Sequence, residues 1–218
     1  MEKINNIPSS PWDFFFLPVW VHRKLSVRFM GLIPAIFFVG FFDMVFYDNI
    51  LEMGYFTGEP SKIIFRFIVF LLCSFILGAG DVICTMVPIA EFAIMIGKRS
   101  EKYVSKAMPV ILMKSYALSH ILFIVPTALY VYSGIDWTSV SPASSYEVRV
   151  LFSVVVTLML LVPYLQFGIL YRTLSVRTKL EKFSKAVLVL SAYFWMQITR
   201  EVTYFIGGNM HSFIKSLI

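Results

Sequence analysis

The fold is decided by residues 63–96, which read IIFRFIVFLLCSFILGAGDVICTMVPIAEFAIMI. So apolar a run is typical of a membrane-spanning helix, which needs about 20 mostly apolar residues. If it is helical throughout, its 34 residues extend for about 50 Å, which is too long for one perpendicular span and short for two. The topology of the chain therefore depends on whether this run crosses a membrane once or turns back as a hairpin at residues 78–81.

The composition of the whole chain is that of a membrane protein. Of its 218 residues, 58% are hydrophobic and 15% are charged, whereas about a quarter of the residues of a soluble domain are charged. Four more runs are long enough to span a bilayer, at residues 29–47, 108–132, 150–171 and 186–206. The sequence therefore predicts an all-α, polytopic membrane bundle of five transmembrane helices, followed by a short outer tail at 207–218.

The distribution of positive charge favours a single crossing by residues 63–96. Lys and Arg accumulate in short cytoplasmic loops and not in translocated ones. With five spans, thirteen of them lie inside: Lys3, Arg23, Lys24, Arg28, Lys98, Arg99, Lys102, Lys106, Arg172, Arg177, Lys179, Lys182 and Lys185. Only Lys62, Arg149 and Lys215 lie outside. A hairpin would translocate the basic loop 98–106, so we predict one long tilted helix, a cytoplasmic N-terminus and an outer C-terminus.

Residues 1–28 form an aromatic and basic segment ahead of the first span. Ser10 and Pro11 are typical of the start of a helix. Large aromatic residues stand beside basic ones here: Trp12, Phe14, Phe15, Phe16, Trp20, Arg23, Lys24 and Arg28. This composition predicts a helix that lies in the inner headgroup layer, with Pro18 limiting its regularity. The alternative is an irregular, aromatic-rich lead-in.

Ionisable residues inside the predicted spans fall into two groups by depth. The candidate outer cluster comprises Asp43, Arg66, Arg200 and Glu201. The candidate inner cluster comprises Asp81, Glu91, Lys114 and His120. Unpaired charges that face lipid are costly, so these residues either pair across helices and fix the packing or line a polar path for a lipid headgroup, an ion or a peptide. Neighbours on a helix point about 100° apart, so Arg200 and Glu201 are not expected to pair with each other.

Motifs of catalysis and metal binding do not occur in these 218 residues. The three histidines, His22, His120 and His211, are predicted at the inner side, mid-membrane and the outer side, so they cannot form a three-histidine zinc site. A His-Glu-x-x-His helix, a Gly-x-Ser-x-Gly elbow and a P-loop are all missing. We therefore expect a non-enzymatic protein without a cofactor, a metal site or a nucleic-acid partner.

The five-span layout is accompanied by several short motifs between residues 11 and about 206: Pro11-Trp12, Phe14 to Phe16, Gly97-Lys98, Met108-Pro109, Tyr116-Ala117 and Pro126. In this layout and these motifs, the chain resembles the Yip family of five-span membrane proteins that interact with Rab/Ypt GTPases. Only about 28 residues precede the first span, which is similar to the short prokaryotic members. The resemblance implies a prokaryotic cell membrane and a non-enzymatic partner or accessory subunit of another membrane complex, with no family active site.

Three hypotheses for function remain open from the sequence. The first is a Yip-like scaffold or accessory subunit in trafficking or transport, since small residues that permit close helix contacts line the second span: Ser74, Gly78, Ala79, Gly80 and Cys84. The second is a small carrier or permeation subunit that uses the intramembrane charges as a polar path. The third is a lipid-modifying enzyme. The expected partners are anionic lipid headgroups at the basic cytoplasmic face, together with another membrane protein or a second copy of this chain.

Overall fold

The computed structural model describes residues 11–47, 55–135, 137 and 139–216. Ser10 and the rest of residues 1–10, as well as the end of the predicted outer tail at 217–218, lie outside the described residues. In the described part of the chain, the regular secondary structure is helical apart from one isolated β-bridge between Val104 and Thr178.

Eight α-helices follow one another in the described residues: α1 (Asp13–Phe16), α2 (Val19–Lys24), α3 (Ile33–Tyr47), α4 (Pro60–Arg99), α5 (Met108–Ser119), α6 (Ile124–Tyr132), α7 (Tyr146–Arg177) and α8 (Lys182–Lys215). Short 3₁₀ turns at Phe29–Leu32 and His120–Phe123 precede α3 and join α5 to α6. The 63–96 run lies within α4, one continuous helix of 40 residues, and no hairpin interrupts it.

Three of the described segments are long and apolar enough to cross a membrane, at Pro60–Arg99, Met108–Tyr130 and Tyr146–Arg177. This is the pattern of an integral membrane protein. The apolar stretch at Phe29–Met44 is shorter than these. The helix α8 has 34 residues but includes Lys182, Lys185, Arg200 and Glu201, which interrupt its apolar surface.

The centre of the bundle is α4, against which α3, α5 and α8 pack. Its buried face carries Val82, Met86, Ile89 and Ala93, which share one core with residues of α3, α5, α7 and α8. These apolar residues recur every three or four positions, as one face of a helix requires. The same face carries Asp81 and Thr85, both buried.

The closest helix contact joins α3 to α4 through two glycines. A Cβ atom on Gly78 would lie 2.6 Å from the backbone nitrogen of Gly40 and 2.9 Å from its Cα. A Cβ atom on Gly40 would likewise meet the backbone of Ser74 and Gly78. Only glycine permits this approach of two backbones. Asp43 and Asp81 each lie three residues beyond one of these glycines, so the contact brings the two carboxylates to the same place.

The N-terminal segment forms two short helices rather than one. Leu17 has a φ of 62° and Pro18 lacks an N–H group, so α1 ends at Phe16 and α2 begins at Val19. The ring of Phe16 rests on Gly168 of α7, where a Cβ atom would collide with it. Both short helices therefore pack against α7.

Polar contacts also fasten the N-terminal segment to α7. Asp13 forms an ion pair with Arg172. The His22 ring is fully buried. Its Nε2 donates to the Phe16 carbonyl at 3.0 Å, and its Nδ1 lies 2.9 Å from the Thr173 hydroxyl oxygen. Burial lowers the pKa of His22 below its ordinary value.

Candidate functional site

A cavity of about 200 Å³ with a mixed polar and apolar lining lies between the helices and is lined by residues of α3, α4, α5, α7 and α8. Its polar lining includes two carboxylates, a phenol, an imidazole and side-chain amides: Asp43, Asp81, Tyr116, His120, Gln166 and Gln197. Since protein cavities lined by polar groups hold ligands or water rather than remaining empty, this cavity is the candidate functional site.

Asp81 is the most firmly held of the lining residues. Its Oδ2 accepts a hydrogen bond from the Tyr116 hydroxyl at 2.9 Å, and its Oδ1 accepts one from the Thr85 hydroxyl at 3.1 Å. Thr85 Oγ1 in turn lies 3.1 Å from Thr199 Oγ1 of α8. Three helices thus fix the position of one buried carboxylate.

His120 lines the cavity, and its two ring nitrogens differ in their partners. The residue begins the 3₁₀ turn at the end of α5 and is 4% exposed. Its Nδ1 lies 3.0 Å from the Tyr116 carbonyl oxygen, which can only accept, so Nδ1 carries the proton. In a neutral ring this leaves Nε2 with a free lone pair.

Asp43 completes the cluster from α3. Its Oδ2 atom is inaccessible to solvent and has no hydrogen-bond partner in the described part of the chain. One ligand atom each from Asp43, Asp81 and His120 lie within 4.8 Å of one another. A buried oxygen without a partner is costly, and its position beside a second carboxylate and an imidazole is a place where a cation can bind.

The two clusters predicted from depth are divided differently in the structure. Asp43 of the outer group joins Asp81 and His120 of the inner group. Lys114 points away from them, since its Nζ donates to the Ser26 carbonyl at 2.9 Å and to the Arg28 carbonyl at 2.6 Å. Glu91 is exposed on α4, ten positions beyond Asp81.

Of the remaining members of the outer group, only Arg200 lines the same cavity as the carboxylates in the described residues. Arg66 holds the segment ahead of α4, with Nη1 donating to the carbonyls of Tyr55 at 3.3 Å and Thr57 at 3.2 Å. Arg200 lines the cavity, and its Nη2 lies 3.3 Å from Glu201 Oε1. The expectation that these neighbours do not pair was wrong, because both long side chains lie on the exposed surface of α8 and there bridge the angle between their positions.

Sequence reasoning missed the residues that position the carboxylates. Tyr116 entered only as part of the Yip resemblance, and neither Thr85 nor Gln166 was singled out. A signal for two of them is the four-residue spacing: Thr85 follows Asp81, and His120 follows Tyr116, so each pair shares a helix face. The prediction of no metal site considered histidines alone, whereas the cluster combines one histidine with carboxylates from other helices.

This chain matches no protein-family model, no characterised protein and no solved structure. The Yip resemblance therefore stays a prediction.

Proposed function

We propose that this protein is a multi-pass membrane protein that binds a small cation in the cavity between its helices, as a carrier or permeation subunit does. The observation that carries the proposal is the meeting of Asp43, Asp81 and His120 within 4.8 Å. Two carboxylates this close do not both ionise in a buried site unless a cation lies between them or one takes up a proton.

The wall of the cavity also supports a path for an ion. Arg200 lines it and has a side chain that is 68% exposed, so this residue lies where the cavity reaches the surface of the bundle. Asp81 and His120, in contrast, are almost fully buried. The lining therefore passes from an exposed charge to buried ionisable groups, and intramembrane ionisable residues of this kind typically mark ion pathways.

The proposal includes five crossings with the N-terminus in the cytoplasm. It takes α3 and α8 as spans in addition to the three long apolar segments, because both helices contribute to the wall of the cavity. The thirteen-to-three distribution of loop Lys and Arg supports this orientation. The basic inner face would then lie against anionic lipid headgroups.

A scaffold function has less support from the packing. It depended on the small residues of α4 being free to contact a partner protein. Gly78 and Ser74 of that set are covered by Gly40 of α3 within the same chain, so these residues serve the packing that builds the cavity.

Flux into proteoliposomes tests the proposed function. Purified protein is reconstituted with a pH-sensitive dye in one set of vesicles and a Mn²⁺-sensitive dye in another. We expect the wild-type protein to move at least one of these cations faster than empty vesicles do. Asp43→Asn and Asp81→Asn should each slow that flux at least about tenfold, because each removes a charge that offsets the cation.

The matched control is Glu91→Gln, which removes a carboxylate from the exposed side of the same helix as Asp81 and should leave the flux unchanged. Circular dichroism and gel filtration in detergent establish that each variant is folded. Wild-type flux no faster than empty vesicles, or folded Asp43→Asn and Asp81→Asn proteins with wild-type flux, would refute the proposal.

A further inference from the structure

We infer that the cation is a divalent first-row transition metal ion, such as Zn²⁺ or Mn²⁺, ligated by Asp43, Asp81 and His120. This inference rests on the proposed function and deepens it, since it names the substrate class of the same cavity. One imidazole nitrogen and two carboxylate oxygens are the ligand types that Zn²⁺, Fe²⁺ and Mn²⁺ sites use. A site for Na⁺ or K⁺ would not need the imidazole nitrogen of His120 as a ligand.

The surroundings of the three ligands match those of metal-binding residues. A histidine that ligates a metal through one nitrogen almost always donates its other N–H to a carbonyl or a carboxylate. His120 does this, with Nδ1 3.0 Å from the Tyr116 carbonyl. Asp81 accepts hydrogen bonds from Tyr116 and Thr85, as ligating carboxylates generally do. The same Tyr116 therefore orients two of the three ligands.

The unpartnered atom of the cluster is a second, independent observation. Asp43 Oδ2 is buried without a hydrogen bond, although serine, threonine and glutamine side chains are abundant in this part of the bundle. The residue comes from a different helix than Asp81 and is brought there by the glycine contact of α3 and α4. A bound cation would satisfy this oxygen.

The spacing of the ligand atoms fits one ion after a small contraction. Ligands about 2.1 Å from one metal at tetrahedral angles lie about 3.4 Å apart, and the three atoms here lie within 4.8 Å of one another. The side chains must close by up to about 1.4 Å. Three protein ligands leave further coordination positions open toward the cavity, as an exchangeable ion requires.

Metal titration of the full chain tests this inference. Protein in detergent micelles, without an affinity tag and stripped with EDTA, is titrated with Zn²⁺ by calorimetry and with Co²⁺ by visible absorption. We expect one ion per chain, a Co²⁺ ligand-field band of mixed nitrogen and oxygen coordination, and displacement of Co²⁺ by Zn²⁺. Asp43→Asn and His120→Gln should each weaken binding by at least about 100-fold, since even partners behind the ligands contribute about 10- to 100-fold.

The control is again Glu91→Gln, which should bind Zn²⁺ as the wild type does. The absence of saturable Zn²⁺ or Co²⁺ binding to the wild-type protein, or wild-type affinity in folded Asp43→Asn and His120→Gln proteins, would overturn the metal assignment. If either variant does not fold, the Co²⁺ spectrum of the wild-type protein tests the assignment by itself. A band typical of mixed nitrogen and oxygen ligands supports ligation by His120, whereas a band typical of oxygen ligands alone contradicts it.

Different experimental results would overturn the metal site and the proposed function. Proton flux that depends on Asp43 and Asp81, in a protein that binds neither Zn²⁺ nor Mn²⁺, would overturn the metal assignment and leave a proton as the cation of the proposed function. Saturable Zn²⁺ binding that requires Asp43 and His120, in a protein that moves no ion, would support the metal site and overturn the carrier function.

Discussion

Replacing Gly78 by alanine should separate α3 from α4. The added Cβ atom would lie 2.2 Å from the Ile36 carbonyl oxygen and 2.6 Å from the Gly40 nitrogen, and these are backbone atoms that cannot rotate away. An ordinary contact at about 3.6 Å requires the two helices to part by about 1.4 Å. Because Asp43 and Asp81 lie three residues beyond the two glycines, the same movement widens the gap between the carboxylates.

The change in unfolding free energy caused by Gly78→Ala follows from two opposing effects. Overpacking a close contact costs about 1–3 kcal/mol, whereas alanine gains about 0.8–1.0 kcal/mol over glycine in a helix interior. Gly80→Ala lies on the same helix, and a Cβ atom there meets nothing within 4 Å, so it has the second effect alone. We therefore expect Gly78→Ala to be less stable than Gly80→Ala by about 1–3 kcal/mol.

Titration of folded protein with SDS in mixed micelles measures both variants under the same conditions. Zn²⁺ calorimetry on the same preparations then reports on the site, and we expect weaker binding in Gly78→Ala with wild-type binding in Gly80→Ala. Equal unfolding free energies for the two variants would refute the close contact of α3 and α4, and with it the explanation of how Asp43 reaches Asp81.

Three further predictions concern single side chains. Burial lowers the pKa of His22 below its ordinary value of 6.5, so below that pH the unfolded chain takes up a proton that the folded chain does not. The unfolding free energy should therefore be highest above about pH 6.5 and should fall as the pH is lowered toward 5. This decrease should be lost in His22→Gln. Lys114→Met removes buried hydrogen bonds to backbone carbonyls and should lower the unfolding free energy by about 2–3 kcal/mol. The Zn²⁺ affinity should not change, and a weaker affinity would contradict the position of Lys114 outside the cavity. Tyr116→Phe removes the hydrogen bond to Asp81 and should weaken Zn²⁺ binding by about 10- to 100-fold, and unchanged affinity would contradict its positioning role.

Hydropathy located each long helix but not its ends. The runs 63–96 and 150–171 lie inside Pro60–Arg99 and Tyr146–Arg177, because a helix continues through polar residues until capping groups end it. Pro60 occupies the first helical position of α4, and the Ser145 hydroxyl accepts from the Val148 N–H group at the start of α7. Such ends depend on local backbone chemistry and not on how apolar a run is.

The sequence indicated the individual residues of the site but not which of them lie together. Asp43, Asp81 and His120 were all identified as intramembrane candidates, yet depth along the helices placed Asp43 apart from the other two. Depth does not include the register of one helix against its neighbour. That register follows from the contact of Gly40 with Gly78, which a stripe of small residues indicates only in general terms, without identifying the partner helix.

Anomalous X-ray scattering from crystals of the protein grown with Zn²⁺ shows whether a metal ion binds between Asp43, Asp81 and His120. Data collected on both sides of the zinc absorption edge locate the ion without reference to activity. We predict one strong peak per chain, about 2.1 Å from a carboxylate oxygen of Asp43, a carboxylate oxygen of Asp81 and Nε2 of His120. A cavity without an anomalous peak under these conditions, or zinc ligated only by other residues, would contradict the account.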